Sequence, residues 1–310
     1  MLEDELTHIL SEDKELTYLI LVDTAEVQGL ARKLRAQNRP FLTADFAQIP
    51  DLVKKQRNAP SFSRMPTKRT CISDAVHRLL PGRNASDAVV ANVLTIDLHA
   101  DGELLKKEVC RNIERMSGFS DGILVLYGVC DSLKNLERDC AGCPCPLYFL
   151  TDEDGAKVED CIALALGGNR FRWEVPSTNR DIVFFCTPMW ASKWASMSSD
   201  WQTLLNYGAG KSARNQEIAQ STEKLLKHIR FKKVAKIDTG LRYGPNFDEN
   251  VHDYAQQFKL NVVQLPGNTD IVERCYQRAK SGIRERMPTF SIMSYSQQNK
   301  IETRMKEMMK

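Results

Sequence analysis

The 310-residue sequence contains no apolar run near the roughly 20 residues that a membrane-spanning helix needs. Its opening, "MLEDELTHILSEDKEL", is acidic and lacks the basic region and apolar stretch of a secretory leader. No Gly-x-Gly-x-x-Gly follows a strand, and there is no Gly-x4-Gly-Lys-[Ser/Thr] and no Gly-x-Ser-x-Gly. Dinucleotide binding, P-loop phosphate chemistry and serine-hydrolase chemistry therefore have no motif to rest on. No internal repeat or low-complexity block appears. Excess charge is also missing: 43 Lys and Arg against 40 Asp and Glu leave +3, with the signs interspersed. Such a surface argues against a nucleic-acid or anionic-membrane partner. A cytoplasmic protein is the expectation.

What the chain does have is cysteine. It holds nine, an odd number, and five of them fall between residues 127 and 161. In a reducing compartment, free thiols or metal ligands are favoured over a disulfide framework.

Apolar runs rich in β-branched residues recur along the chain, each followed by a polar or amphipathic stretch. Strands are expected at 16–24, 89–100, 121–130, 144–153, 180–190, 231–241 and 259–268. Helices are expected at 25–38, 103–116, 201–208 and 215–229, and a short one closed by glycine at 158–168. Continuous apolar strands alternating with helices predict an α/β fold. Its expected form is a mostly parallel, doubly wound (Rossmann-like) sheet covered by helices on both faces, in one or two lobes. The expected domain is 1–283, with a proline-rich basic excursion at 48–86 and a Cys-rich loop at 131–160. Residues 284–310 read as a C-terminal helix or tail.

In such sheets ligands bind at the carboxyl ends of the strands. Those ends carry Asp23-Thr24, Asp97 and His99, Tyr127-Gly128-Cys130, Thr187-Pro188 and Asp238-Thr239-Gly240. Tyr127, Gly128, Trp190 and Asp238 are the candidate cofactor-binding residues. The lone Asp-Thr-Gly at 238–240 does not make an aspartic-protease pair, and a capped turn is its simpler reading.

Cys140, Cys143 and Cys145 stand in Cys-x2-Cys-x-Cys-Pro, with Cys130 before them and Cys161 after. Gly142 permits a tight loop, while Pro144 and Pro146 preset its backbone, so closure around an ion loses less entropy. These five cysteines are the candidate metal ligands. An iron–sulfur cluster and zinc both fit the pattern. Buried apolar filler is the competing account of any one thiol, and the one assigned to the isolated Cys71, Cys110, Cys186 and Cys275.

"LVLYGVC", "EDCIALALGGNRFRW", "VFFCTPMWASKWASM" and "VAKIDTGL" together resemble an archaeal and bacterial family known only as domain of unknown function 1638. The likeness, including the start "LEDELTHIL", covers most of residues 1–275. The family motifs fall on Tyr127-Gly128-Cys130, Asp160-Cys161-Ile162, Thr187-Pro188-Trp190 and Asp238-Thr239-Gly240. Three positions depart from the pattern: Asp131 replaces a glycine, Glu159 a histidine and Met189 a glycine. Glu159 could replace that histidine only as an oxygen ligand or carboxylate base. The resemblance implies an anaerobic one-carbon setting, methanogenesis included, with a corrinoid protein or methyltransferase as partner. No motif supports a bound corrinoid.

Two functions follow as expectations. One is a metal-thiolate protein, an accessory or enzyme in corrinoid-linked methyl transfer. The other is a metal-free module that binds a small ligand or partner protein, with Trp190, Trp194, Tyr127 and Arg170 lining a cleft and the cysteines structural.

Overall fold

The computed structural model describes residues 2–58, 87–96, 98, 101–130, 132–174, 182–192, 231–244 and 246–286. The basic excursion beyond residue 58, Asp97, His99, Trp194, the helices expected at 201–229 and the tail after 286 lie outside them.

Elements follow in the order α1 (Glu3–Glu12), β1 (Leu16–Val22), α2 (Val27–Ala36), β2 (Leu42–Ala44), α3 (Ile49–Asn58) and β3 (Asp87–Ala91). Next come α4 (Gly102–Ser117), β4 (Ile123–Val125), the single-turn α5 (Leu136–Asp139), β5 (Leu147–Phe149), α6 (Cys161–Leu166) and α7 (Asn169–Glu174). β6 (Ile182–Cys186), β7 (Phe231–Asp238), α8 (Phe247–Phe258), β8 (Asn261–Pro266) and α9 (Asp270–Arg286) complete the described chain.

The chain is an α/β protein, and among the described residues the strands pair in parallel ladders, β2-β1-β3, β4-β5 and β6-β7-β8, beside one isolated antiparallel bridge between Thr151 and Lys157. The sequence predicts one doubly wound sheet. Among the described residues, no strand pairing joins one ladder to the next. The strands are also shorter than their apolar runs. Beyond Val125 the chain leaves its ladder, because the Val129 and Cys130 amides donate instead to the Val158 and Glu159 carbonyls. At the other end of that ladder, the Ile123 amide donates to the Pro146 carbonyl at 3.0 Å.

β1 is central in its ladder, and its run "LTYLILV" is buried except at Thr17 and part of Tyr18. The residue pattern explains the packing around it. Val27, Leu30, Ala31 and Leu34 recur at helical spacing and form the buried stripe of α2. They meet Leu19 and Leu21 of β1, Ile9 and Leu10 of α1, and Val272 and Tyr276 of α9. Leu10, Leu21, Leu30 and Leu34 are fully buried, each contributing about 1.5–3 kcal/mol.

α4 begins at Asp101, whose carboxylate accepts from the Glu103 and Leu104 amides. Its buried stripe, Leu105, Val109 and Ile113, packs against Ile123 and Val125 of β4 and Leu133 and Leu136 near α5. This second core is the floor beneath the Cys-rich loop. The long α9 follows, running without a break through residue 283, where the sequence suggests a boundary.

Candidate functional site

The loop after α5 is built from local hydrogen bonds. Cys140 caps that one-turn helix, donating its amide to the Leu136 carbonyl at 2.9 Å, and the Cys143 amide donates to the Cys140 carbonyl at 3.0 Å. Lys106 of α4 reaches Asp139 at 2.7 Å and fastens the two helices together. Gly142 faces open space.

The fold brings a fourth thiol to this loop. Cys110 on α4 places its sulfur 3.6 Å from that of Cys140, and the sulfurs of Cys143 and Cys145 are 3.8 Å apart. None of the four is in a disulfide, and all are partly buried against the α4 core. Sequence reasoning passed over Cys110. It sits one residue beyond Val109 on the shoulder of the apolar stripe, so it reads as filler. Only the return of the chain thirty residues later gives it a sulfur neighbour.

Burial pushes the Cys140 thiol up to about 12, and the hydrogen bond with Cys110 adds to the rise. Burial likewise carries Cys145 to about 12, followed by its contact with Cys143. Without an ion these are protonated, slow nucleophiles. A bound cation reverses that balance by stabilising thiolate directly.

Cys130 and Cys161 form a separate arrangement. Two chain segments run side by side, stitched by Val129 N–H to Val158 O at 2.9 Å and Cys130 N–H to Glu159 O at 2.7 Å. Gly128 is required at this crossing. A Cβ there would lie 2.6 Å from the Asp160 Cα and 2.9 Å from its nitrogen. Cys130 itself takes the left-handed backbone conformation, φ +39°, which is costly for a side chain of its kind.

Asp160 then caps α6, accepting from the Ala163 amide at 2.7 Å, and Gly167 ends the helix at φ +89°. Asp160→Ala is expected to cost about 1 kcal/mol, read as a lower urea midpoint with an unchanged slope.

Burial pushes the Cys161 thiol up to about 12, with Asp160, Cys130 and Glu5 adding negative potential. Burial also raises the Tyr127 hydroxyl to about 12, with Cys130 contributing. Glu5 comes from the first turn of α1. Its neighbours Glu3 and Asp4 both ion-pair with Lys33 of α2 at 2.5 Å. Glu5 is 3% exposed, and its Oε2 lacks a hydrogen-bond partner. Burial lifts its carboxyl to about 7. Glu159 is exposed.

The remaining candidates lie in other surroundings. Trp190 is buried among Phe184, at a ring distance of 4.5 Å, and Tyr254, at 4.7 Å. Asp238 makes a two-pronged pair with Arg242, both contacts 2.9 Å, and accepts from the Gly240 amide. Arg242 and that amide hold the Asp238 carboxyl below its usual range. Arg170 is exposed and lies over the Phe171 ring.

Among the described residues, no three Cys, His, Asp or Glu side chains already stand around one point at ion-holding distances. No helix among them is long and apolar enough to cross a membrane. A family model described as "Protein of unknown function (DUF1638)" matches residues 93–276. That span includes Cys110, Cys130, Cys140, Cys143, Cys145 and Cys161, and leaves out Glu5 and the start "LEDELTHIL". No curated protein and no solved structure matches the chain.

Proposed function

For a chain that belongs to the DUF1638 family, whose description leaves the activity open, we propose a metal-thiolate protein with one zinc held by Cys110, Cys140, Cys143 and Cys145. The observation that carries this reading is the sulfur spacing. Four thiolates at about 2.3 Å around a tetrahedral ion stand about 3.8 Å from one another. Before any ion is added, the sulfurs within the Cys110–Cys140 pair are 3.6 Å apart and those within the Cys143–Cys145 pair 3.8 Å apart.

A cubane iron–sulfur cluster puts each cysteine on a different iron and spreads the sulfurs further, so the spacing supports a single ion. Zinc is the class of ion that four thiolates suit best. Binding would draw the Cys143–Cys145 pair toward the Cys110–Cys140 pair through a loop in which nothing lies within 4 Å of a Cβ at Gly142. Four protein ligands leave no open coordination position, so the role is structural. The ion clamps α4, α5 and the approach to β5 above the apolar core.

Zinc binding here adds to folding free energy, as in other closed thiolate sites. The protein purified without oxygen is expected to carry zinc at this site. Cys140→Ser/Cys143→Ser, and independently Cys110→Ser, should each lower the zinc content by about one equivalent per chain. Unchanged metal content in these variants would overturn the reading, and so would Cys110–Cys140 or Cys143–Cys145 disulfides found by mass spectrometry in place of metal.

A further inference from the structure

Away from the cysteines, three titratable side chains from distant parts of the chain form a continuous run of hydrogen bonds. His8 on α1 places its Nε2 2.8 Å from Oε1 of Glu273, in the first turn of α9. Its Nδ1 lies 3.2 Å from the hydroxyl of Tyr243, which follows the end of β7. The same Glu273 oxygen accepts from the Thr269 hydroxyl at 2.5 Å.

The protons in this run can be placed. The Thr269 hydroxyl, and after it His8, outweigh burial and hold the Glu273 carboxyl below its usual range. At neutral pH that group only accepts, so His8 Nε2 carries the hydrogen. The neutral ring then keeps its lone pair on Nδ1, facing the Tyr243 hydroxyl. Burial raises that hydroxyl, with Glu12 and Asp4 adding negative potential, so the phenol is protonated at rest.

A nucleophile within reach of a base, itself oriented by a third group, is the signature of covalent catalysis. The position in the fold agrees. Tyr243 lies past the carboxyl end of β7, and Thr269 and Glu273 past that of β8, where parallel sheets take their ligands. His8 is 20% exposed and Tyr243 is partly exposed, so a small molecule can reach the phenol.

We propose that Tyr243 is a nucleophile toward activated acyl groups, with His8 as its base and Glu273 as the residue that positions the imidazole. The phenol oxygen attacks the acyl carbon as its proton passes to His8 Nδ1. The bond to the leaving oxygen breaks, and that oxygen takes the proton from His8. Water, deprotonated by the same Nδ1, then cleaves the tyrosyl ester, releases the acid and restores the phenol. An ester of a phenol is itself activated, so the second step suits this residue. Phosphoryl groups suit it less, because they need a free cation and the adjacent Arg242 is held by both oxygens of Asp238. The site is independent of the closed four-thiolate site.

The test uses phenylmethanesulfonyl fluoride as a trap. The tyrosine oxygen displaces fluoride from sulfur, and the stable adduct is mapped by mass spectrometry. Of the eight tyrosines, Tyr243 should be modified first. His8→Asn should slow that modification by about 100-fold. Glu273→Gln, whose amide can donate to Nε2, should slow it by about tenfold or more and move the imidazole proton to Nδ1, read by nitrogen NMR. Tyr243→Phe should melt like wild type but turn over p-nitrophenyl acetate about tenfold more slowly. Modification spread evenly over the tyrosines defeats the proposal, as does a rate indifferent to His8→Asn in a variant that circular dichroism shows to be folded. Equal turnover by wild type and Tyr243→Phe, or an unmoved tautomer with an unmoved rate in Glu273→Gln, defeats it too.

Discussion

Substituting methionine for Lys280 is expected to lower the unfolding free energy by about 3–5 kcal/mol at neutral pH, the usual effect of stranding buried charge. Lys280 lies on α9 with 10% of its side chain exposed. Its ammonium is 2.6 Å from Asp13, 2.9 Å from Asp87 and 3.6 Å from Glu15. Asp13 also accepts from the Tyr276 hydroxyl at 2.7 Å and from the Glu15 and Leu16 amides. Arg284 joins the cluster through Glu15 and Asp87. One cation thus pins α9 to the end of α1 and to the starts of β1 and β3. Methionine keeps the stem's packing while removing the charge, leaving the buried Asp13 without its cation and Asp87 with Arg284 alone.

The loss should depend on pH in a defined direction. Burial alone would raise the Asp13 carboxyl, but the Lys280 ammonium and the Tyr276 hydroxyl outweigh it and hold the carboxyl below its usual range. A group lowered in the folded state adds stability that is present above its unfolded value, about 3.9. That stability drains away as pH falls through the lower, folded value. At the other extreme, Lys280 is raised by Asp13 and Asp87 against the effect of burial. Its share is present below the unfolded lysine value and lost only in strong alkali. Urea unfolding should therefore show a large gap between wild type and Lys280→Met at neutral pH, narrowing below about pH 4. A gap under about 1 kcal/mol, or one that is the same in acid, would show the cluster to be energetically inert.

That cluster also marks where the sequence stops being informative. β1 was legible because a strand buried on both faces has to be apolar, and its last four residues, "LILV", are all buried. The short helix expected within 158–168 was legible from the glycine that closes it, and it spans 161–166. α9 was not foreseen. Its apolar residues, Ile271, Val272, Cys275, Tyr276 and Ala279, are diluted by charge, and its lysine acquires meaning only from Asp13 and Asp87, far away in sequence. The same holds for the sites. Clustering in the chain exposed Cys140, Cys143 and Cys145, since nearby residues must be nearby in space. Cys110 could not be found that way, and neither could the burial of Glu5. An acidic residue in the run "LEDEL" reads as solvated, and Glu5 is buried only because α1 packs its first turn inward. The split of the five expected ligands into a loop group and a Cys130–Cys161 pair depends on backbone pairing between residues 129–130 and 158–159. Periodicity carries no signal for such pairing outside a regular strand.

Gly128→Ala tests that pairing directly, and its effect should be among the largest of any single methyl group added to this chain. The new Cβ would lie 2.6, 2.9 and 3.0 Å from the Cα, nitrogen and carbonyl carbon of Asp160. All three are backbone atoms, so no side chain can swing aside. The segments must separate, and with them the hydrogen bonds from Val129 and Cys130 lengthen or break. Overpacking and two weakened backbone hydrogen bonds together predict a loss of about 2–4 kcal/mol. Gly142→Ala is the matched control. Nothing lies within 4 Å of a Cβ there, and neither glycine has positive φ, so the control should stay within about 0.5 kcal/mol of wild type. Hydrogen exchange should localise the damage to the amides of Val129 and Cys130. Equal stability of the two alanine variants, or equal protection of those two amides, would mean that the segments at 128–130 and 158–160 are not in close backbone contact.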